Sequence, residues 1–365
     1  MPPRNWRRAS ALSAAAVPKP RSPTLTRLAH EPTRVTMQDV ATRAGVSQPT
    51  VSLVIGNSTT ARISKDTRER VLAAASELGY RPNVVARGLV QSRSYSLGLV
   101  VPNLLNPFFT DVVSGAERVA TEEGYAVLLC DVAEGTAEHH LDALRSRQID
   151  GVIIDAAGAT ALASRALADL NVVLIDGPSD AHLSIASDAH GAGKLAAEHL
   201  LSLGHKRIGF LGPATDAWAQ RMRERGFMKT LAAAAVRVAS DDLRRAPAPA
   251  AGGESAMRAL LAHAPRPSAV FCANDLMAIG ALKACAAAGV SVPSQMSLVG
   301  CDDIEMARLV TPELTTVSVR PRELGARAAR TLIKLLRGEA VSSSKPLAVS
   351  LVVRGTTARV ARSKS

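Results

Sequence analysis

Apolar positions along this chain recur with two periods. Over residues 35–80 they fall three and four apart, in short runs that stop at glycine. From residue 96 onward they form unbroken runs of about five, separated by longer stretches of mixed character. The first spacing predicts helices with one buried stripe, and the second predicts strands buried on both faces.

In the first region Thr36 stands three residues before Asp39, a capping-box spacing. Val40, Ala41 and Ala44 then give a short helix an apolar side, and Gly45 ends it. Ser47 caps the next helix, where Pro49 falls in the first turn and its missing N–H costs nothing. Val51, Val54 and Ile55 point inward there, leaving Gln48, Thr50, Ser52 and Leu53 outward. A third helix starts at Ser64, presents Val71, Leu72, Ala75 and Leu78, and stops at Gly79. Three short helices with a tight glycine turn between the first two predict a helix-turn-helix, whose second helix offers a polar start to base edges in a major groove. Tyr80-Arg81-Pro82-Asn83 breaks the chain. Asn83 to Leu89 then reads as one more short helix, capped by Asn83 and, with Gly88 inside it, unstable in isolation.

In the second region the runs at 96–101, 125–130, 151–155 and 172–176 alternate with helical stretches at 108–123, 137–147 and 160–169. A second series follows at 207–212, 269–273 and 297–301, again with helices between. Strands buried on both faces and separated by helices predict parallel, doubly wound α/β sheets, and two series predict two subdomains. Ligands of open parallel sheets sit at the carboxyl ends of the strands. Polar and aromatic residues just past those ends are Asn106 with Phe108 and Phe109, Asp176, Arg223, Asn274 and Asp302. Carboxylates, amides and an arginine beside aromatic rings suit a polyhydroxylated ligand, whose hydroxyls need paired donors and acceptors while its C–H face stacks on a ring. Helix capping by Asn274 and Asp302, and core packing by Phe108, are the competing readings.

Charge sharpens the division. Of the formal +12, +10 lies in residues 1–96, which hold 15 Lys and Arg against 5 Asp and Glu; the rest hold 29 against 27. A basic leading segment on a near-neutral body is the footprint of a polyanion-binding head. Residues 1–33, rich in Pro, Ala, Ser and Arg, are expected to be a disordered basic arm or to follow from a start codon placed too far upstream; their Ala/Ser run makes a poor signal peptide. The apolar content of 47% over 365 residues allows a sizeable core, and no stretch of about eighteen apolar residues is present to span a membrane. Cys130, Cys272, Cys285 and Cys301 form no CxxC pair and lie in apolar segments, as buried reduced thiols of a cytoplasmic protein would.

VTMQDVATRAGVSQPTVSLVI followed by ISKDTRERVLAAASELGYRPNVVARGL resembles the DNA-binding head and hinge of the lactose-repressor/galactose-repressor family of bacterial transcription regulators. The likeness extends to LVVRGTT, covering roughly 35–357. It implies an α/β protein with an N-terminal helix-turn-helix head (35–80), a hinge helix and linker (81–95), and a periplasmic-binding-protein-like body of two subdomains (96–357) that binds effector and dimerises. A tail (358–365) follows. It implies DNA contacts at Thr36, Ser47, Gln48, Pro49, Thr50, Ser52 and Leu53, and in the hinge at Asn83, Ala86 and Leu89, the last wedging into the minor groove of operator DNA. Many members carry arginine where this chain has Leu53, which leaves the operator sequence open. NPFF, LIDG, RMRERGF, CANDLMAIGA and VGCDD match sugar-contacting places, whereas Val319 stands where several sugar binders have glutamine.

GAGK at 191–194 lacks the earlier glycine and following Ser/Thr of a phosphate loop, so helix packing is its expected role. His139-His140 lacks further ligands at metal spacing, and neither a metal nor a cofactor is expected. No nucleophile, base and orienter set points to an enzyme. The expected function is therefore an effector-controlled repressor acting as a homodimer on double-stranded operator DNA, with a sugar-like effector. A sugar-binding protein without DNA function and a nucleobase-responsive regulator are the alternatives.

Overall fold

The computed structural model describes residues 35–56, 62–81, 93–132, 137–156, 167–342 and 345–360. Contacts divide the chain into one unit ending at Asn83 and another beginning at Val84.

The first unit holds α1 (Met37–Ala44), α2 (Gln48–Ile55) and α3 (Lys65–Glu77). The Thr36 side chain accepts the Asp39 N–H, and Asp39 reaches back to the Thr36 N–H, closing the capping box. Gly45 takes φ 66, a left-handed turn that brings α2 back across α1. Ser47 and Ser64 cap α2 and α3 by accepting from Thr50 and Thr67. Val40, Ala41, Ala44, Val51, Val54, Val71 and Ala74 form a small core, and Arg43 pairs with Glu77 at 2.7 Å to tie α1 to α3. The inward face of α3 is as expected at Val71, Ala75 and Leu78, with one exception: Leu72 is 51% exposed and Ala74 takes its place in the core. The pattern of α3 is ambiguous because Val71-Leu72 and Ala73–Ala75 allow two adjacent stripes, and the contact with α1 selects the one with the smaller side chain.

The second unit contains two sheets. One, ordered β2-β1-β3-β4-β5, is wholly parallel; its strands are β1 (Ser96–Val101), β2 (Ala126–Asp131), β3 (Gly151–Asp155), β4 (Val172–Ile175) and β5 (Leu183–Ile185). The other, ordered β11-β10-β9-β8-β6-β7, contains β6 (Ile208–Pro213), β7 (Leu243–Ala246), β8 (Ala269–Cys272), β9 (Ser297–Asp302), β10 (Thr315–Ser318) and β11 (Ser350–Val352). β11 runs antiparallel to β10, so this sheet is parallel only through its first five strands. The order 2-1-3-4-5 recurs in both sheets, placing a switch point between β1 and β3 and another between β6 and β8.

Helices α4 (Pro107–Glu122) and α5 (Ala137–Ser146) belong to the first series; α6 (Ala189–Ser202), α7 (Trp218–Ala233), α8 (Ala250–Leu261), α9 (Asp275–Ala287) and the short α10 (Met306–Leu309) belong to the second. α11 (Pro321–Leu336) departs from the expected division. It follows the second series in sequence but packs on α4 and on β3 and β4 of the first sheet. The chain therefore crosses between subdomains three times, near Ser187, Val319 and Leu347. These crossings touch one another: Ser187 Oγ donates to the Val319 carbonyl at 2.7 Å, and Ser187 bridges to Leu347.

The strand run at 125–130 was expected to be buried on both faces, but β2 is an edge strand with half-exposed and exposed positions. β5, β7, β10 and β11 were not expected at all. β5 and β11 are three residues long, and β7 and β10, though no shorter than the expected β4 and β8, carry arginines or threonines in place of an apolar run. Most of the helix expected at 160–169 lies outside the described residues.

Candidate DNA-reading face and effector cleft

The first unit presents one exposed face at the start of α2. Pro49 lies in its first turn, and the Ser47 hydroxyl is 2.9 Å from Thr50 Oγ1, fixing both side chains at the cap. Gln48, Pro49, Ser52 and Leu53 are exposed, Thr50 is half-buried, and Thr36 is exposed at the start of α1. At 41% exposure, Leu53 is a large apolar side chain on an otherwise polar face whose opposite side, Val51 and Val54, is in the core. Asn83, Ala86 and Leu89 lie outside the described residues.

In the second unit the expected effector residues fall into two sets. Asp176, Arg223 and Asp302 are brought together. Arg223, on the buried side of α7, donates through Nη1 to the Ala273 carbonyl at the end of β8 at 2.8 Å, and the same nitrogen lies 2.9 Å from Asp302 Oδ1 at the end of β9. The guanidinium also attracts Asp176, just beyond β4 of the other sheet. The carboxyl ends of the two sheets therefore face each other, with Arg223 in contact with Asp302 and its charge felt by Asp176. Asp176 takes φ 55, and its Oδ1 accepts the Ser187 N–H at 3.5 Å, which joins this set to the crossings.

Asn274 and Phe108 have the roles of their competing readings, Asp302 caps no helix among the described residues, and Asn106 is also a cap. Asn106 caps α4 by accepting from Phe108 N–H, and Asn274 caps α9 by accepting from Met277 N–H at 2.8 Å. Phe108 is 5% exposed and belongs to the core, while Phe109, edge-on to it at 5.0 Å, is half-buried. Val319 is buried within the crossing, where its carbonyl serves Ser187. GAGK lies at the start of α6. Asp188 caps that helix through the Gly191 N–H, and Gly193 faces the Arg223 carbonyl at the α6–α7 contact, as packing rather than phosphate binding requires.

Buried Arg223 Nε has no hydrogen-bond partner among the described residues, and the Asp302 Oδ1 contact is one of charge without an aligned hydrogen bond. Polar atoms held in this way can exchange hydrogen bonds with a small polar molecule. Burial pushes the Asp302 carboxyl up; the Arg223 charge opposes this, while the neighbouring Asp275 and Asp176 charges add to it. Asp176 and Asp275 are also raised, chiefly by burial. A raised carboxyl holds its proton in the native state at pH values where the unfolded chain has released it. Its stabilising contribution is therefore complete below the ordinary value of 3.8 and is lost as pH rises through its raised native value. Thermal unfolding of the full chain should show a declining contribution between about pH 4 and 7, and Asp302→Asn should flatten that decline; equal pH slopes in both proteins would exclude Asp302 as its source.

Sequence comparison agrees with this architecture. Residues 36–83 match the pattern described as bacterial regulatory proteins, lacI family, and residues 197–357 match that of a periplasmic binding protein-like domain. The HTH-type transcriptional repressor PurR of Mannheimia succiniciproducens is 32% identical over 334 residues, which is 89% of this chain and 99% of that protein. This chain belongs to the LacI family. PurR of Pasteurella multocida is 33% identical over 82% of this chain and 91% of its own length. Among solved structures, the lac repressor dimer bound to operator and the anti-inducer ONPF is similar with a TM-score of 0.78 at 31% identity, covering 89% of this chain and 99% of that one. The complex of the transcriptional regulator CelR with cellobiose gives 0.66 at 30% identity, covering 88% and 100%. As a LacI-family member the chain is a DNA-binding transcriptional repressor with a helix-turn-helix head and a periplasmic-binding-protein-like body.

Sequence reasoning missed Ser187, Asp275 and Arg354, which contact the expected site residues or their turns. Asp275 was hidden by its neighbour Asn274, whose capping role accounted for the motif. Arg354 lies within LVVRGTT, which marks only the end of the resemblance.

Proposed function

We propose that this repressor acts as a cytoplasmic homodimer and that a small polyhydroxylated ligand, a sugar or sugar derivative, governs its grip on operator DNA. The observation that carries this reading is the contact of Arg223 with Asp302, with the Asp176 carboxylate of the other subdomain near enough to act on its charge. Hydroxyl groups donate to carboxylates and accept from a guanidinium, so one such ligand is recognised by both subdomains at once. Its leverage on their relative angle equals its preference for one arrangement over the other. The likeness to the CelR–cellobiose complex supports a sugar. A nucleobase is the second reading, favoured by the PurR relatives, and it would act as a corepressor. A thermal-shift screen of sugars, polyols, sugar acids and nucleobases separates the two, because only the chemistry that binds raises the melting temperature.

In the head, Gln48, Pro49 and Leu53 on the exposed face of α2 are the proposed specificity positions, with Thr36, Thr50 and Ser52 at the DNA backbone and Ser47 beside them at the cap. Duplexes selected from random DNA should be pseudo-palindromic, as two heads require, and binding should weaken steeply with salt. On the selected duplex, Gln48→Ala should cost about 1–3 kcal/mol and relax preference at one position, leaving random-sequence affinity nearly unchanged. Equal losses on selected and random DNA would remove Gln48 from base readout.

A further inference from the structure

The turn that follows β9 is held in an unusual conformation. Asp302 has φ 133 and Asp303 φ 60, values that side-chain-bearing residues adopt only when their surroundings impose them. We propose that Asp275 and Arg354 are positioning residues of the effector cleft, holding residues 302–304 so that Asp302 faces Arg223. This rests on the reading of that cleft as the effector site, and it adds two residues that act on it through the turn.

Asp275, the first residue of α9, is 0% exposed. Its Oδ2 accepts the Ile304 N–H at 2.9 Å, and its Oδ1 accepts the Thr316 hydroxyl of β10 at 2.5 Å. Gly300 makes this approach possible, since a side chain there would run into the Asp275 carboxylate. From the other side, Arg354, just past β11, donates through Nη2 to Asp303 Oδ1 at 2.5 Å and through Nη1 to the Leu314 carbonyl at 2.8 Å. Its backbone N–H reaches Thr315 Oγ1 at 2.9 Å. The turn is thus gripped at Asp303 and Ile304 by buried groups from α9 and the segment after β11, both braced on the strand β10 beside it. An acidic residue at a helix start often needs no explanation beyond the helix dipole. That role asks for nearness to the first turn, and it does not account for two side-chain hydrogen bonds to β10 and to residue 304.

Asparagine at 275 can accept from Ile304 N–H and donate to the Thr316 hydroxyl, whereas alanine can do neither. Crystal structures and amide hydrogen exchange of the unliganded full chain are therefore the direct test. D275N should keep Asp302 in its left-handed conformation, the Arg223–Asp302 contact and a protected Ile304 amide. D275A and R354M should lose the turn conformation and exchange Ile304 faster. If D275A does not fold, T316V, which removes one of the two partners in the same volume, should show the same loss to a lesser degree. A D275A or T316V structure with the turn and the contact intact overturns the proposal, as does equal disruption by D275N and D275A. Titration with D-ribose and with hypoxanthine adds a functional arm. If the wild type binds either, D275A should weaken it by about tenfold or more and D275N by far less. If the wild type binds neither, D-ribose and hypoxanthine are excluded as its ligands, while the structural arm still decides the clamp.

Discussion

Replacing Arg223 by methionine should abolish the response to effector and lower the stability of the full chain by about 3–5 kcal/mol. The side chain is almost wholly buried, it lies 2.9 Å from a buried aspartate, and its charge also acts on Asp176 across the cleft. Removing it takes away the charge that holds both carboxyls down, so they must either stay ionised without a partner or take up protons, at a cost that grows with pH and exceeds the net value of the original pair. The expectation has an internal control. In Arg223→Met combined with Asp302→Asn the worst of the uncompensated charge is gone, so the double variant should be more stable than Arg223→Met alone. Urea denaturation of the three proteins measures this coupling, and effector-dependent release or retention of the selected duplex measures the response. Arg223→Met with wild-type stability and an undiminished response would show that the cluster is neither an electrostatic keystone nor the effector site.

The head was legible nearly residue by residue because its signals are local. Thr36, Ser47 and Ser64 cap the helices within three residues, and Gly45 sets the turn by its own backbone freedom. Leu72 was misplaced because two adjacent stripes of α3 have similar apolar content, and only contact with α1 distinguishes them. In the body, strands such as β3 and β9, buried along their whole length, announced themselves, whereas β10 was silent because Thr315, Thr316 and Ser318 leave it no apolar run, and β11 because it is three residues long. The return of α11 to the first sheet cannot be read from periodicity at all, since its apolar face, with Leu324, Ala328 and Leu332, would suit either subdomain. The same limit applies to the site. Asp176 and Asp302 follow from the rule about strand ends, whereas Arg223 comes from inside α7 and reaches the strand ends only through its long side chain; Asp275 and Ser187 act through contacts 29 and 11 residues away in sequence, and no local pattern marks such pairs.

Gly193→Ala is a substitution for which two physical effects have opposite signs, so its outcome decides between them. Within a helix, alanine is favoured over glycine by about 0.5–1 kcal/mol, because glycine loses more backbone freedom on folding. Gly193 lies inside α6, and on propensity alone the variant would be more stable than the wild type. Packing opposes this: a Cβ there would overlap the Arg223 carbonyl and press on its carbon and on the Phe227 nitrogen, all backbone atoms of α7. Backbone atoms cannot swing aside as a side chain tip can, so the helices must separate, and Gly226 has the reciprocal fit against the His190 carbonyl. Overpacking of this kind costs about 1–3 kcal/mol and sometimes more, which exceeds the propensity gain. The net effect should be destabilising, seen as a lowered melting temperature of the full chain. Because Arg223 is itself the residue displaced, effector affinity should fall as well. Gly280→Ala, which strikes the Ala250 carbonyl at the separate α8–α9 contact, should lower stability to a similar extent while moving Arg223 less. A Gly193→Ala protein that melts above the wild type would show that the close approach of α6 and α7 is not what makes glycine necessary at this position.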